Sequence, residues 1–208
     1  MHSDVLVVAQ PGRLPRIECR GGLAARHTEP DTVHLVSAAA TPLGGDTIAI
    51  RLIVEPGARL RLRSAAATVA LPGAGTTQSR ACWHIESAGE LDLDPEPTVV
   101  AADARHFSEL TVCLADTSRL RIRERVQIGR TGEREGFWSG GLHADVGGTP
   151  LLRHRVELGP GSVADDALGA PLACVSELRY PEPADDAAGI TLTLAAGGSI
   201  STWQGTRL

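Results

Sequence analysis

The run Thr41-Pro42-Leu43-Gly44-Gly45-Asp46-Thr47-Ile48-Ala49-Ile50-Arg51-Leu52-Ile53-Val54-Glu55-Pro56-Gly57-Ala58-Arg59-Leu60-Arg61-Leu62-Arg63 decides the fold. Its glycine pair permits a turn at positive φ or a backbone approach that a side chain would block. The carboxylate that follows suits the turn's own amides or a cation. An apolar run then reaches Val54, and Glu55-Pro56-Gly57 breaks it. Beyond the break Leu60 and Leu62 alternate with Arg59, Arg61 and Arg63, the period of a strand with one buried face.

The same unit recurs outward from this stretch. Cys82–Glu86 and Glu90–Asp94 flank Ala88-Gly89, and Leu110–Leu114 and Arg119–Arg123 flank Asp116-Thr117-Ser118. Leu151–Glu157 leads into Gly159-Pro160-Gly161, and Ile190–Leu194 and Ser199–Trp203 flank Gly197-Gly198. The first three units repeat at about thirty residues, which predicts an all-β protein of stacked β layers, solenoid-like or sandwich, with few short helices. Residues 1–208 are expected to form a single β domain, since no Gly/Pro-rich break is long enough for a linker. Val33–Ala40 reads as a strand buried on both faces. Ser64–Leu71 reads as a helical turn, and Pro171–Arg179 as a short helix with Leu172, Val175 and Leu178 on one face.

Composition narrows the function. No apolar run approaches a membrane span, and Val5–Ala9 is too short for a signal-peptide core, so a cytoplasmic location is expected. Four cysteines without a Cys-x-x-Cys pair suit small thiols in a reducing compartment. A net charge of −5 argues against a nucleic-acid partner. All twenty basic residues are arginine. Without lysine there is no P-loop, Schiff base or lysine general base.

Catalytic and metal patterns are sparse. Cys82 with His84, and His143 with Asp145, share a strand face, but two ligands make half a site. His106 and Ser108 lack the elbow and third member of a triad. The ladders Arg59/Arg61/Arg63 and Arg119/Arg121/Arg123 read as a solvated face or as a basic docking face. Phe137 and Trp138, in the glycine-rich break at 136–148, either pack on the sheet, the favoured reading, or stand exposed as candidates for partner docking. Asp46, Asp92, Asp94, Glu96, Asp103, Glu124 and Glu133 form an acidic series. Any of them facing an internal passage would relay a divalent cation through weak, multiple oxygen sites.

Four motifs in order resemble the urease accessory protein UreD (UreH) family. They are Pro42-Leu43-Gly44-Gly45-Asp46 with its two strands; Gly89-Glu90-Leu91 before Leu93-Asp94-Pro95-Glu96-Pro97; Glu124 followed by Gly129-Arg130-Thr131-Gly132-Glu133; and Pro150-Leu151-Leu152 before Arg155. They cover residues 41–158. Asp94 stands where the family has proline, and Arg63–Val69 keeps the family's small residues without its Gln and Lys. The resemblance implies a non-catalytic maturation scaffold, or chaperone, that binds apo-urease with UreF and the GTPase UreG and helps deliver nickel. It implies no catalytic residue and no tightly bound cofactor, with nickel in transit past Asp46 and Glu133. The motif residues Gly44, Gly45, Asp46, Gly129, Arg130, Gly132 and Glu133 carry that expectation. Two other readings are a metal-dependent β-barrel enzyme using His84, His106, His143 and His154, and a passive β-solenoid interaction module.

Overall fold

A computed structural model describes residues 1–167, 169–184 and 189–208. In chain order the strands are β1 (His2–Ala9), β2 (Arg16–Arg20), β3 (Leu23–Glu29), β4 (Thr32–Ser37), β5 (Thr47–Val54) and β6 (Arg59–Ser64). There follow β7 (Thr68–Ala70), β8 (Gln78–Ser87), β9 (Glu90–Leu93), β10 (Thr98–Val100), β11 (Arg105–Leu114) and β12 (Arg119–Ile128). The last are β13 (Phe137–Val146), β14 (Thr149–Leu158), β15 (Ala173–Tyr180), β16 (Ile190–Thr193) and β17 (Ser199–Gly205), with one helical turn, α1 (Ala164–Ala167), after β14. Among the described residues no helix is long and apolar enough to cross a membrane.

The turn-centred units that form the layers are not hairpins. In the first three units the two strands enter different sheets, and each strand pairs in parallel with its counterpart one unit on. The Gly197-Gly198 unit alone, β16–β17, is an antiparallel hairpin. The first sheet runs β14-β13-β11-β8-β5-β1-β2, with β1, β5, β8, β11 and β13 parallel neighbours. The second runs β16-β17-β15-β12-β9-β6-β4-β3, with β4, β6, β9 and β12 parallel. Thr47 pairs with Arg80, Gln78 with Arg105, and Arg105 with Phe137, an advance of about thirty residues per layer. The short strands β7 and β10 add a third parallel face against the end of β12. Stacked solenoid layers thus form the centre. Antiparallel pairs close both ends, β1–β2 and β3–β4 at one and β13–β14 and β15–β17–β16 at the other.

Alternation places the core between the sheets. Leu60, Leu62, Leu120 and Ile122 are buried, while the arginines between them point outward. The turns stack too, since the Glu90 amide bonds the Ala58 carbonyl at 2.9 Å and the Arg119 amide that of Gly89 at 3.0 Å. The Pro56-Gly57 turn closes through the Ala58 amide on Glu55 at 3.0 Å, with Gly57 at φ +74°.

Three expectations are corrected. Val33–Ala40 forms a strand only to Ser37, and Val36 already faces solvent. Ser64–Leu71 contains strand β7 in place of a helical turn. Pro171–Arg179 contains most of β15, whose Cys174, Ser176 and Leu178 point inward.

Candidate functional site

The interior holds two apolar clusters, and a polar level separates them. One cluster contains Ile122, Leu110, Leu142 and Leu178; the other contains Val126, Ala104, Trp138, Val156 and Cys174. Each strand that contributes to both has a polar or small residue between. On β12 it is Glu124, on β11 His106 and Ser108, on β13 Gly140, on β14 His154 and on β15 Ser176. Strand pairing holds them level, with Ser108 opposite Gly140 and Glu124 opposite Ser176. Two hydrogen bonds tie this seam together, Ser108 Oγ donating to Glu124 Oε1 at 2.9 Å and Ser79 Oγ with His106 Nδ1 at 2.9 Å.

Cavities follow the seam. One of about 90 Å³ is lined by Thr41, Trp83, Thr98, His106, Ser108 and Glu124. Behind Glu124 lies a second, of about 10 Å³, between Trp138, Gly140, His154 and Ser176. Leu110, Ile122 and Glu124 border both, which puts the carboxylate in the wall between them. His154 borders the smaller cavity and also an open pocket of about 620 Å³ beneath Thr202 and Trp203. A water needs roughly 10–15 Å³ of such space, so the larger cavity has room for several. Gly140 keeps the wall narrow, because a methyl group there would lie 2.2 Å from the Trp138 ring and 3.2 Å from Glu124 Oε2.

Burial sets the charges. It raises Glu124 to about 7 against the Ser108 hydrogen bond, and the nearby Glu109 charge adds to the rise. It pushes His106 down to about 4, which leaves a neutral imidazole, and lowers His154 as well. The buried His154 Nε2 has no hydrogen-bond partner among the described residues. Neutral imidazole nitrogens and a carboxylate oxygen are ligands for a borderline divalent cation. Among the described residues no three His, Cys, Asp or Glu side chains converge to hold one. The seam therefore offers contacts in series and no chelating cage, the condition for an ion that must leave again.

The motif carboxylates lie elsewhere. Asp46 is buried and fully engaged, accepting from Thr41 Oγ1 at 2.9 Å, from the Leu43 amide at 2.9 Å and from the α-amino group of Met1. Burial raises its pKa, but these donors outweigh burial and hold it below the ordinary carboxylate value. Glu133 is bound by the Arg130 guanidinium at 2.9 Å and by the amides of Arg130 (2.9 Å) and Ala102 (3.0 Å), which hold it down at about 2. Gly129 and Gly132, at φ +77° and +84°, shape that loop. The two carboxylates precede β5 and β13, three strand spacings apart, or about 14 Å. Neither lines the interior cavities.

Two expected outcomes follow. Asp46→Ala leaves a buried amide and hydroxyl unpartnered and should cost about 2 kcal/mol, read as a lower urea midpoint. An unchanged midpoint would mean that those groups find water. Glu133, with its folded pKa depressed from 4.5 to about 2, adds stability that is complete above pH 4.5 and lost as pH falls toward 2. Glu133→Gln should flatten the acid limb of the stability curve in that window, and an identical limb would contradict the pairing.

Of the two readings of Phe137 and Trp138, the structure has them packed on the sheet. Phe137 and Trp138 lie in β13 and are only 6% and 2% exposed. Phe137 packs on Phe107 and under Arg105, and Trp138 belongs to the second cluster. The arginine ladders carry their own counter-ions. Arg59 meets Glu90 at 2.7 Å, Arg61 meets Asp31 at 3.0 Å, and Arg63 meets Asp92. Arg121 meets Asp92, Asp94 and Glu177 at 3.1 Å each. This is an ion-pair lattice across strands, and not an unpaired basic face. The four histidines of the enzyme reading also divide, with His84 and His143 outside the first sheet and His106 and His154 inside it.

Glu124 was visible in the acidic series, but its position was not. The sign is its parity in Leu120-x-Ile122-x-Glu124-x-Val126-x-Ile128, a carboxylate in an inward slot.

A family model described as UreD urease accessory protein matches residues 12–203. The chain is 40% identical over 192 residues to "Urease accessory protein UreD 1" of Saccharopolyspora erythraea, covering 88% of this chain and 75% of that one. It is 42% identical over 225 residues to "Urease accessory protein UreD" of Frankia alni, covering 95% and 75%. With the protein of that name from Frankia casuarinae it shares 39% identity over 204 residues, covering 88% and 64%.

Proposed function

This chain belongs to the UreD family of urease accessory proteins, and from that premise we propose that it guides nickel toward apo-urease through its own interior. In this reading residues 1–208 act as one cytoplasmic scaffold that binds apo-urease together with UreF and UreG. It catalyses nothing, and nickel is its cargo. The observation that carries the reading is the polar seam, in which His154, Glu124 and His106 border successive cavities. An ion crossing a protein needs sites favourable enough to enter and weak enough to leave. Spaced single ligands of nitrogen and oxygen meet that need, and borderline metals accept both. Asp46 and Glu133, tied to their own turns, serve in this reading to hold the layer corners in place.

The experiment is urease co-produced with UreF and UreG, with and without this chain, followed by assay of nickel content and activity. Nickel-poor, inactive urease only when the chain is missing is the expected result. Fully loaded urease in its absence would overturn the maturation role.

A further inference from the structure

The two sheets differ in length, and the difference leaves a slot. Cavity linings show which strands face one another: β11 faces β12, β13 faces β15, and β14 faces β17. The first sheet stops at β14, while the second continues one strand further to β16. Ile190 and Leu192 of β16 share the inward face with Thr202 and the core residue Ile200. Among the described residues no strand lies opposite them, where only Gly169 and Pro171 reach the same pocket. Ile190 and Leu192 are 72% and 61% exposed. The open pocket of about 620 Å³ beside His154 and Val156 is this slot. Its first wall is the free edge of β14, whose outer backbone groups await a neighbour.

The occupant must be one strand wide, apolar on its inner face and not already backed by a strand of its own. A second copy offering β14 or β2 fails, because the inner faces of those strands are already backed by β17 and β3. The strand of this chain that meets all three conditions is β16. We infer that β16 is a self-association strand: in a two-fold dimer each copy's β16 enters the slot beside the other copy's β14, and Ile190 and Leu192 pack on the same residues of the second copy.

Direction and charge agree with this. Strand β14 is antiparallel to β13. Following the antiparallel series β12, β15, β17, β16 shows that β16 runs opposite to β14. A two-fold axis along the strands keeps that direction, so the incoming β16 pairs antiparallel with β14, the commoner and slightly stronger ladder. The contact is isologous and closes on itself. Ile190-Thr191-Leu192-Thr193 is uncharged, and so are the β14 residues that face the slot, Val156 and His154, the latter held toward its neutral form by burial. The area is small. Four residues at about 3.3 Å each make a strip of about 13 Å, and two such strips fall short of the roughly 1,200 Å² of a standard stable interface. The dimer is therefore reversible and depends on concentration.

The test is sedimentation velocity of the full chain alone over a wide concentration range, without urease or its other accessory proteins, so its outcome is independent of the maturation reading. The average mass should climb from monomer toward dimer, with β14 amides gaining protection from hydrogen exchange. Leu192→Glu should weaken association at least tenfold, and Leu192→Thr, which keeps strand propensity, should weaken it less. Val69→Glu, the same change at an exposed position on β7, should leave it intact. Circular dichroism confirms that each variant is folded. A monomer at every concentration, or a dimer indifferent to both Leu192 variants, would overturn the inference. So would β14 protection that appears only on addition of a different protein.

Discussion

Glu124→Gln is expected to fold as well as the parent chain or better, and to lower nickel loading of co-produced urease at least tenfold. Glutamine keeps the Ser108 contact, made at 2.9 Å, and fills nearly the same volume, so the wall between the cavities stays closed. What disappears is the anionic oxygen, the one ligand in the seam with a charge to offer a cation. Stability gives an independent readout. The folded-state pKa of Glu124 is raised from 4.5 to about 7, so the native protein binds a proton that the unfolded chain has released. Its stability therefore falls as pH rises from 4.5 through 7, and Glu124→Gln escapes that fall. The variant's advantage should grow across this window to as much as about 3 kcal/mol. Glu96→Gln, on the surface, should change neither quantity. Full nickel loading with Glu124→Gln would remove this carboxylate from the mechanism. Parallel stability curves would show that it does not titrate in the interior.

Gly44→Ala should cost more than about 3 kcal/mol, a large part of the 5–15 kcal/mol that holds a typical domain together. A methyl group on Gly44 would lie 1.8 Å from the Thr76 carbonyl oxygen and 2.5 Å from the Gly73 amide nitrogen. Both are backbone atoms of an adjoining turn closed by its own hydrogen bond, Gly73 to Thr76 at 3.0 Å. Neither can give way without opening that turn. Gly45 differs, since its φ of +94° asks for glycine but space is available, with Thr76 Cγ2 at 3.5 Å. Gly45→Ala should cost only about 1–2 kcal/mol, the strain of a left-handed residue. Gly75 has nothing within 4 Å, and Gly75→Ala should be neutral or mildly stabilising. Urea midpoints for the three variants should fall in that order, with Gly44→Ala lowest. A Gly44→Ala protein of near-normal midpoint would mean that the two turns are not interlocked.

The strands were legible wherever one face is buried and the other carries charge. Leu60 and Leu62 between arginines declare a strand without ambiguity, and a turn after every such run declares the layers. Legibility fails where the polar seam crosses. In β15 the inward residues are Cys174, Ser176 and Leu178, and the serine breaks the apolar alternation. What remained was Leu172, Val175 and Leu178 at helical spacing, so the segment read as a helix. The seam hid Glu124 in the same way, because a carboxylate in a strand passes for an outward residue unless parity is counted. The segment of Phe137 and Trp138 read as a break, and not as a strand, for another reason. Gly136, Gly140 and Gly141 made their segment look like a loop, but the latter two glycines clear space within β13. Gly140 makes room for the Trp138 ring, and Gly141 for Glu109, whose Oε2 would lie 2.1 Å from an added methyl group. Motif order carried the family, while the motif carboxylates Asp46 and Glu133 are bound within their own turns.

Parallel stacking also bears on how this chain is assembled as it is synthesised. A hairpin closes on its own few residues, but each layer here finds its partner about thirty residues earlier, and pays a loop-closure entropy before any ladder forms. During synthesis a new layer can zip only onto layers already made. On the ribosome, at about 5–20 residues per second, a new layer emerges every few seconds. Until β13 and β14 have been translated, the most recent layer presents an open parallel edge to the cell. The nascent chain is therefore most vulnerable to mispairing for the whole span between β5 and β14, and termination of the stack is what ends that exposure.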